Sequence, residues 1–138
     1  MAPARRLLTP LGVILCVLTF GAAQAPVGPD LSGCWSGRWS NCNNTHTGPL
    51  HATFCKCEGD SYRVNFHGRF FKLIPFRYSV VLNVTKREAD KVYLAGESNL
   101  GKLFGTFTYT AEATNDHFDA HYSSCKYQGT FDLKRCCP

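Results

Sequence analysis

Seven cysteines lie in the last four-fifths of the chain: Cys34, Cys42, Cys55, Cys57, Cys125, Cys136 and Cys137. Thiols at this density support two chemistries, oxidation to disulfides or capture of a thiophilic ion such as zinc or copper(I). Cys55-Lys56-Cys57 and Cys136-Cys137 lack the two-residue spacing of common zinc knuckles, so disulfides are the expected state. Seven is odd, which leaves at least one thiol over. His117, Asp119 and His121 alternate along one stretch. That spacing suits metal ligation or an ordinary solvated strand face, and the second is expected. His51 and His67 are expected to point outward into solvent. No Gly-x-Ser-x-Gly occurs, and no cysteine has a local catalytic signature. The carboxylates are scattered from Asp30 to Asp132, and spacing alone pairs none of them across a cleft. These residues predict a non-enzyme with no cofactor.

The N-terminus gives the redox setting. Arg5 and Arg6 precede an apolar run, Leu11 to Phe20, and mostly small residues follow from Gly21 to Ala25. This is the pattern of a secretory signal peptide, with a run too short for the roughly 20 apolar residues of a membrane-spanning helix. Cleavage is expected after Ala23, with Ala25 as the alternative, and Cys16 leaves with the signal. The chain therefore divides into a signal peptide (1–23), a short linker (24–30) and a single disulfide-bearing β domain (31–138). The expected location is secreted, periplasmic or cell-surface. Loss of two arginines lowers the net charge from +5 to +3. No clustered Lys/Arg stripe remains, so no nucleic-acid partner is expected. Asn43-Asn44-Thr45 and Asn83-Val84-Thr85 match the N-glycosylation pattern, which has meaning only in a eukaryotic source.

Strands must position these groups. Tyr62-Arg63-Val64-Asn65-Phe66-His67 alternates strictly between apolar and polar, as do Phe76 to Thr85 apart from Val81, and Thr106 to Ala111. Such a period of two, with Val, Thr, Tyr and Phe enriched, specifies half-buried antiparallel strands. Eight are expected, near 31–40, 49–57, 61–70, 76–86, 91–97, 103–112, 117–123 and 128–135. Short turn-rich breaks such as Glu58-Gly59-Asp60 favour a meander of hairpins. Gly33, Gly37, Gly68, Gly96, Gly105 and Gly129 sit at apolar-face positions, where glycine permits the bends of a small barrel. The fold class is all-β, an eight-stranded antiparallel up-and-down barrel or a rolled meander sheet.

Closure of such a meander brings the last strand beside the first. Cys42 and Cys125 would then meet across the seam as a disulfide. Cys34, Cys55, Cys57, Cys136 and Cys137 would gather at the other end, enough for two bonds. The opening Gly33-Cys34-Trp35 resembles the first strand of calycin-type barrels, the lipocalin, fatty-acid-binding and avidin group. Gly129 to Arg135 resembles their last strand. The resemblance implies a basic side chain covering the first-strand Trp, so Arg135 is expected over Trp35 as a cation–π contact at the barrel floor. Trp35, Trp39, Tyr78, Tyr109 and Arg135 are the candidate ligand-contacting residues, with core packing the expected role of the two tryptophans. The many inward rings favour a filled interior over one with room for a small ligand.

Gly48-Pro49-Leu50, Gly68-Arg69-Phe70-Phe71 and Pro75-Phe76-Arg77-Tyr78 resemble segments of small uncharacterised exported β-proteins of bacteria. That likeness implies export and a β fold without naming a ligand. The expected function is binding or interaction, with a small apolar molecule or another exported protein as partner. Two alternatives stay open: a secreted enzyme or enzyme inhibitor, and an eight-stranded outer-membrane barrel with its apolar face towards lipid.

Overall fold

Alternation does what a period of two requires: one set of side chains turns inward and the other outward. The computed structural model describes residue 21 and residues 27–137. The expected signal peptide, Gly21 aside, lies outside the described residues. Eight strands run as β1 (Gly33–Asn41), β2 (Thr47–Cys57), β3 (Ser61–Phe70), β4 (Ile74–Arg87), β5 (Val92–Asn99), β6 (Thr106–Ala113), β7 (His117–Ser123) and β8 (Gln128–Arg135). Each pairs antiparallel with the next, and β8 pairs with β1, so the sheet is a closed up-and-down barrel rather than an open rolled sheet. Sequence and structure differ most between β5 and β6. A strand was expected from residue 103, but a one-turn helix, α1 (Gly101–Phe104), occupies that place. Gly105 is its cap at φ +72°, not a strand residue.

The interior follows a size rule. Large rings lie opposite small residues on the neighbouring strand: Trp35 opposite Ala52, Trp39 opposite Gly48, Phe76 opposite Gly68, Tyr109 opposite Gly96, Tyr122 opposite Gly129 and Phe131 opposite Ala120. The Trp39, Phe76 and Tyr122 side chains lie against the glycines opposite them. A Cβ added at Gly68 would stand 2.6 Å from the Phe76 ring, well inside contact distance. The strand glycines thus make room for aromatic plates as much as they bend the sheet.

The outward set is polar. Thr53, Arg63, Asn65, His67, Ser79 and Asn83 face solvent from β2, β3 and β4, while Leu50, Ala52, Phe54, Val64, Phe66, Val80 and Leu82 are buried. A bilayer-spanning barrel needs the reverse, an apolar band on the outside. The lipid-facing alternative is therefore corrected: the greasy half of these strands is a protein core.

One end of the barrel is sealed. Leu31, Trp35, Phe54 and Phe118 are fully buried there, with Trp35, Phe54 and Phe118 ring centroids 5.1–6.3 Å apart. The segment before β1 crosses this end and is tied at each step. The Trp35 indole Nε1 donates to the Leu31 carbonyl (2.9 Å), and the Leu31 N–H donates to the Tyr62 hydroxyl (3.2 Å). Arg87 binds both carboxylate oxygens of Asp60 (2.6–3.1 Å) and the Val27 carbonyl (3.2 Å). The Arg135 guanidinium lies 4.4 Å from the centre of the Trp35 ring and donates to the carbonyls of Ser32 (2.8 Å) and Asp30 (2.7 Å). The expected Arg135–Trp35 contact is present.

A disulfide joins Cys34 to Cys136, outward neighbours on β1 and just past β8, where the Cys136 N–H also donates to the Cys34 carbonyl (2.9 Å). Cys42, Cys55, Cys57, Cys125 and Cys137 carry free thiols. The Cys42–Cys125 bond expected across the seam is not formed, although the two loops touch through Cys42 N–H to Gln128 O (2.8 Å) and Asn43 Nδ2 to Lys126 O (3.2 Å). Shared polar parity placed these cysteines on one face; the particular backbone turns decide which pair comes into bonding distance. Cys34–Cys136 spans 102 positions, so it removes much conformational freedom from the unfolded chain. Replacing both by serine should lower unfolding free energy by about 3 kcal/mol, read as a lower guanidinium midpoint, with the barrel's circular dichroism retained in the absence of denaturant.

Candidate functional site

The opposite end of the barrel is open. Here inward rings line a cavity of about 610 Å³, with Phe131 packed on Phe66 at its base (centroids 5.1 Å apart). Its wall comes from nearly every strand: Trp39 on β1, Phe70 on β3, Phe76 and Tyr78 on β4, Phe107 and Tyr109 on β6, Tyr122 on β7 and Phe131 on β8. The rings touch edge to edge, with Trp39–Phe70 centroids 5.2 Å apart, Phe70–Phe76 4.4 Å and Tyr122–Phe131 5.0 Å. Tilted pairs at such distances hold one another in place. The walls are therefore preformed. The bulky inward set fills only the sealed half, so the expected filled interior gives way to a floor and an open cup. The reason is geometric: the β1–β2, β3–β4, β5–β6 and β7–β8 connections stand around the mouth, while among the described residues a chain segment is laid only across the other end.

Of the five candidate ligand-contacting residues, the structure gathers Trp39, Tyr78 and Tyr109 on the cavity wall and places Trp35 and Arg135 in the sealed floor at the far end. Sequence reading missed Phe107, Tyr122 and Phe131 as lining residues. It also missed the rim residues His46, Phe71, Leu100 and Phe104, which lie in or beside the connecting loops and carry no periodic signal.

Polar groups on the wall are few and engaged. The Trp39 Nε1 donates to the Arg69 carbonyl (3.2 Å), the Tyr122 hydroxyl donates to the Ser40 carbonyl (2.9 Å), and the Tyr109 and Ser98 hydroxyls share a hydrogen bond (3.0 Å). Burial pushes the phenols of Tyr78, Tyr109 and Tyr122 upward, Tyr122 to about 12. At neutral pH all three are uncharged. The cup thus offers aromatic faces and neutral hydroxyls, with the Arg77 guanidinium and the His46 imidazole near its rim.

The loop from β3 to β4 is unusual. Phe71 and Lys72 both adopt positive φ, +52° and +62°, and the Leu73 N–H donates to the Phe70 carbonyl (3.0 Å). A two-residue turn with left-handed backbone at both positions normally takes Asn-Gly. Here an aromatic and a lysine sit in it. Phe71 leans edge-on against His46, with ring centroids 4.9 Å apart.

Two outward clusters also carry titratable groups. The His117 Nε2 lies 3.1 Å from an Asp119 oxygen and 3.3 Å from one of Asp132. The sequence paired His117 and Asp119 with His121; register replaces His121 with Asp132, because Asp119 stands directly opposite Asp132 on β8. The three ligand atoms lie within 4.8 Å of one another on an open strand face. On β2 and β3, His51 and His67 are exposed as expected and stack at 5.0 Å beside a shallow groove with Arg69 and Arg77. Burial first, then the neighbouring His51 and Arg77, lower the His67 pKa.

Two outcomes follow from this geometry. The buried phenols are held above their unfolded values, so their stabilisation is complete below about pH 10 and is lost as pH rises towards about 12. Tyrosinate absorbance should therefore rise in two stages, the second coinciding with loss of near-ultraviolet circular dichroism. Replacing Phe71-Lys72 by Asn-Gly should raise stability by about 1–2 kcal/mol, because the left-handed turn is then built from residues that tolerate it. The denaturant midpoint measures it.

No model of a known protein family matches the chain, and no curated protein matches it in sequence.

Proposed function

We propose that this protein is an exported binding module that holds a small, largely apolar molecule in the aromatic cup. The observation that carries the reading is the open cavity of about 610 Å³, walled by packed rings and closed at its floor. Small-molecule sites commonly enclose roughly 300–1,000 Å³ behind apolar walls with a few placed polar groups. Trp39, Phe76, Tyr78, Phe107, Tyr109 and Phe131 supply the apolar surface, and transfer of ligand carbon from water onto it drives binding. The hydroxyls of Tyr78, Tyr109 and Tyr122 and the Trp39 indole Nε1 are among the polar groups on the wall. Arg77 and His46 suit a ligand whose polar or anionic end stays at the mouth.

The Cys34–Cys136 disulfide supports export, since such bonds persist in oxidising compartments. The Arg5-Arg6 pair and the apolar run after it support the same route. The proposal gives the protein no catalytic step. The floor, with Arg135 over Trp35 and the disulfide beside it, keeps the cup rigid and open at one end only.

The probe 1-anilinonaphthalene-8-sulfonate, an aromatic anion of suitable size, should bind with one site per barrel and enhanced fluorescence. Phe76→Asp, which puts a carboxylate on the half-buried wall, should weaken that binding at least tenfold, a difference of about 1.4 kcal/mol. Trp35→Phe, in the floor, should leave it unchanged. Equal affinity in the Phe76→Asp variant with its fold intact would refute the cup as the site.

A further inference from the structure

The loops at the two ends of the barrel differ in charge. The three loops at the sealed end, 58–60, 88–91 and 114–116, carry Glu58, Asp60, Glu88, Asp90 and Asp116, with Lys91 as their one Lys or Arg. The four loops at the open end, 42–46, 71–73, 100–105 and 124–127, carry no carboxylate at all. They hold Lys72, Lys102 and Lys126, one on each of three loops. None of these three lysines forms an ion pair among the described residues.

The same loops expose apolar side chains. Six of the eight large hydrophobic residues exposed on the described surface stand at this end, namely Phe71, Leu73, Ile74, Leu103, Phe104 and Tyr127. Leu73 and Leu103 are 83% and 80% exposed, each next to a lysine in sequence. Phe71 and Lys72 are held in a turn that Asn-Gly would form with less strain. That strain is retained where the side chains it presents have a use.

From these placements we infer that the open mouth docks on an anionic lipid bilayer, with the leucines and phenylalanines entering the headgroup boundary and the three lysines meeting lipid phosphates. Interfacial binding needs this pairing of apolar side chains with cations. A fluid bilayer accepts isolated protruding leucines without a shaped pocket, whereas a protein partner would have to supply one for each. The loops of the sealed end, with five carboxylates of which Asp60 and Glu88 are ion-paired, face away from the surface, which leaves the cup towards lipid. The inference concerns the rim and does not rest on what the cup holds.

Among the described residues every strand and core residue lies within 27–137, and the expected signal peptide ends at 23, so the barrel is prepared from residue 24. This leaves out the apolar run 11–20, which could itself enter lipid. Its co-sedimentation is then measured with vesicles of phosphatidylcholine alone and of phosphatidylcholine mixed with phosphatidylglycerol. Binding is expected to the mixed vesicles, to weaken with added salt, and to be slight on phosphatidylcholine. Neutralising a mouth lysine should lower the partition coefficient by about fivefold, the ratio for about 1 kcal/mol per charge at an anionic surface. Lys72→Gln with Lys102→Gln should cost about 30-fold by the same conversion. Lys56→Gln with Lys134→Gln, on the wall strands β2 and β8, makes the same change of net charge and should cost far less. Leu73→Ser with Leu103→Ser should lose at least tenfold, with thermal unfolding unchanged. No binding to the mixed vesicles, or equal losses from mouth and wall variants, would overturn the inference. So would a dimer in solution that the Leu73→Ser, Leu103→Ser variant dissociates, because the mouth would then be covered by a second copy. Vesicle binding by a Phe76→Asp barrel that no longer takes the fluorescent probe would separate this inference from the cup's ligand.

Discussion

Pairing of the first strand with the last is the constraint on which everything else depends. A sheet of eight strands with one apolar face has nowhere to put that face unless it closes, and closure here means β1 against β8. The seam is built for close approach. Gly37 and Gly129 face the backbones of Asp132 and Ser40 across it, positions where any side chain would collide. Beyond the last ladder pair, Cys34 and Cys136 fix the seam covalently, and Arg135 reaches inward over Trp35. One strand pairing thus carries a hydrogen-bond ladder, a covalent bond and the lid of the floor.

Closure alone gives a tube, and the difference between its ends makes it a vessel. At one end the chain before β1 lies across the opening, and Leu31, Trp35, Phe54 and Phe118 pack beneath it. Two arginines clamp that segment by its own carbonyls, Arg87 at Val27 and Arg135 at Asp30 and Ser32. A guanidinium suits this task because its planar fork donates in several directions while its face lies on an indole. At the other end no segment of the described residues crosses. The same kind of aromatic residue that packs into a floor at one end stands as a wall at the other.

The size rule along the strands links the halves. Trp39, Phe76 and Tyr122 lie against the glycines opposite them, which seats these three rings close to the neighbouring strands around the open half. The loops at this end then decide what the vessel meets, and they are basic and greasy where those at the other end are acidic.

Much of this was legible in the residues alone, because period-two alternation depends only on neighbours in sequence. Tyr62 to His67 specified their own strand and its buried side, and the run of such segments with short breaks specified eight strands in meander order. Arg135 over Trp35 came from the resemblance of the two end strands to calycin-type barrels, and the geometry places the pair directly opposite each other in register. Other features depended on contacts between distant segments. Which cysteines bond is fixed by where β1 and β8 end, so Cys34 found Cys136 while Cys42 and Cys125 stayed apart. Asp132 displaced His121 beside His117 because register, not spacing along one strand, sets the neighbours. The cup itself lay beyond sequence reading. Counting inward rings gives the volume of side chains but not the direction each one leans, which contacts between rings of distant strands decide.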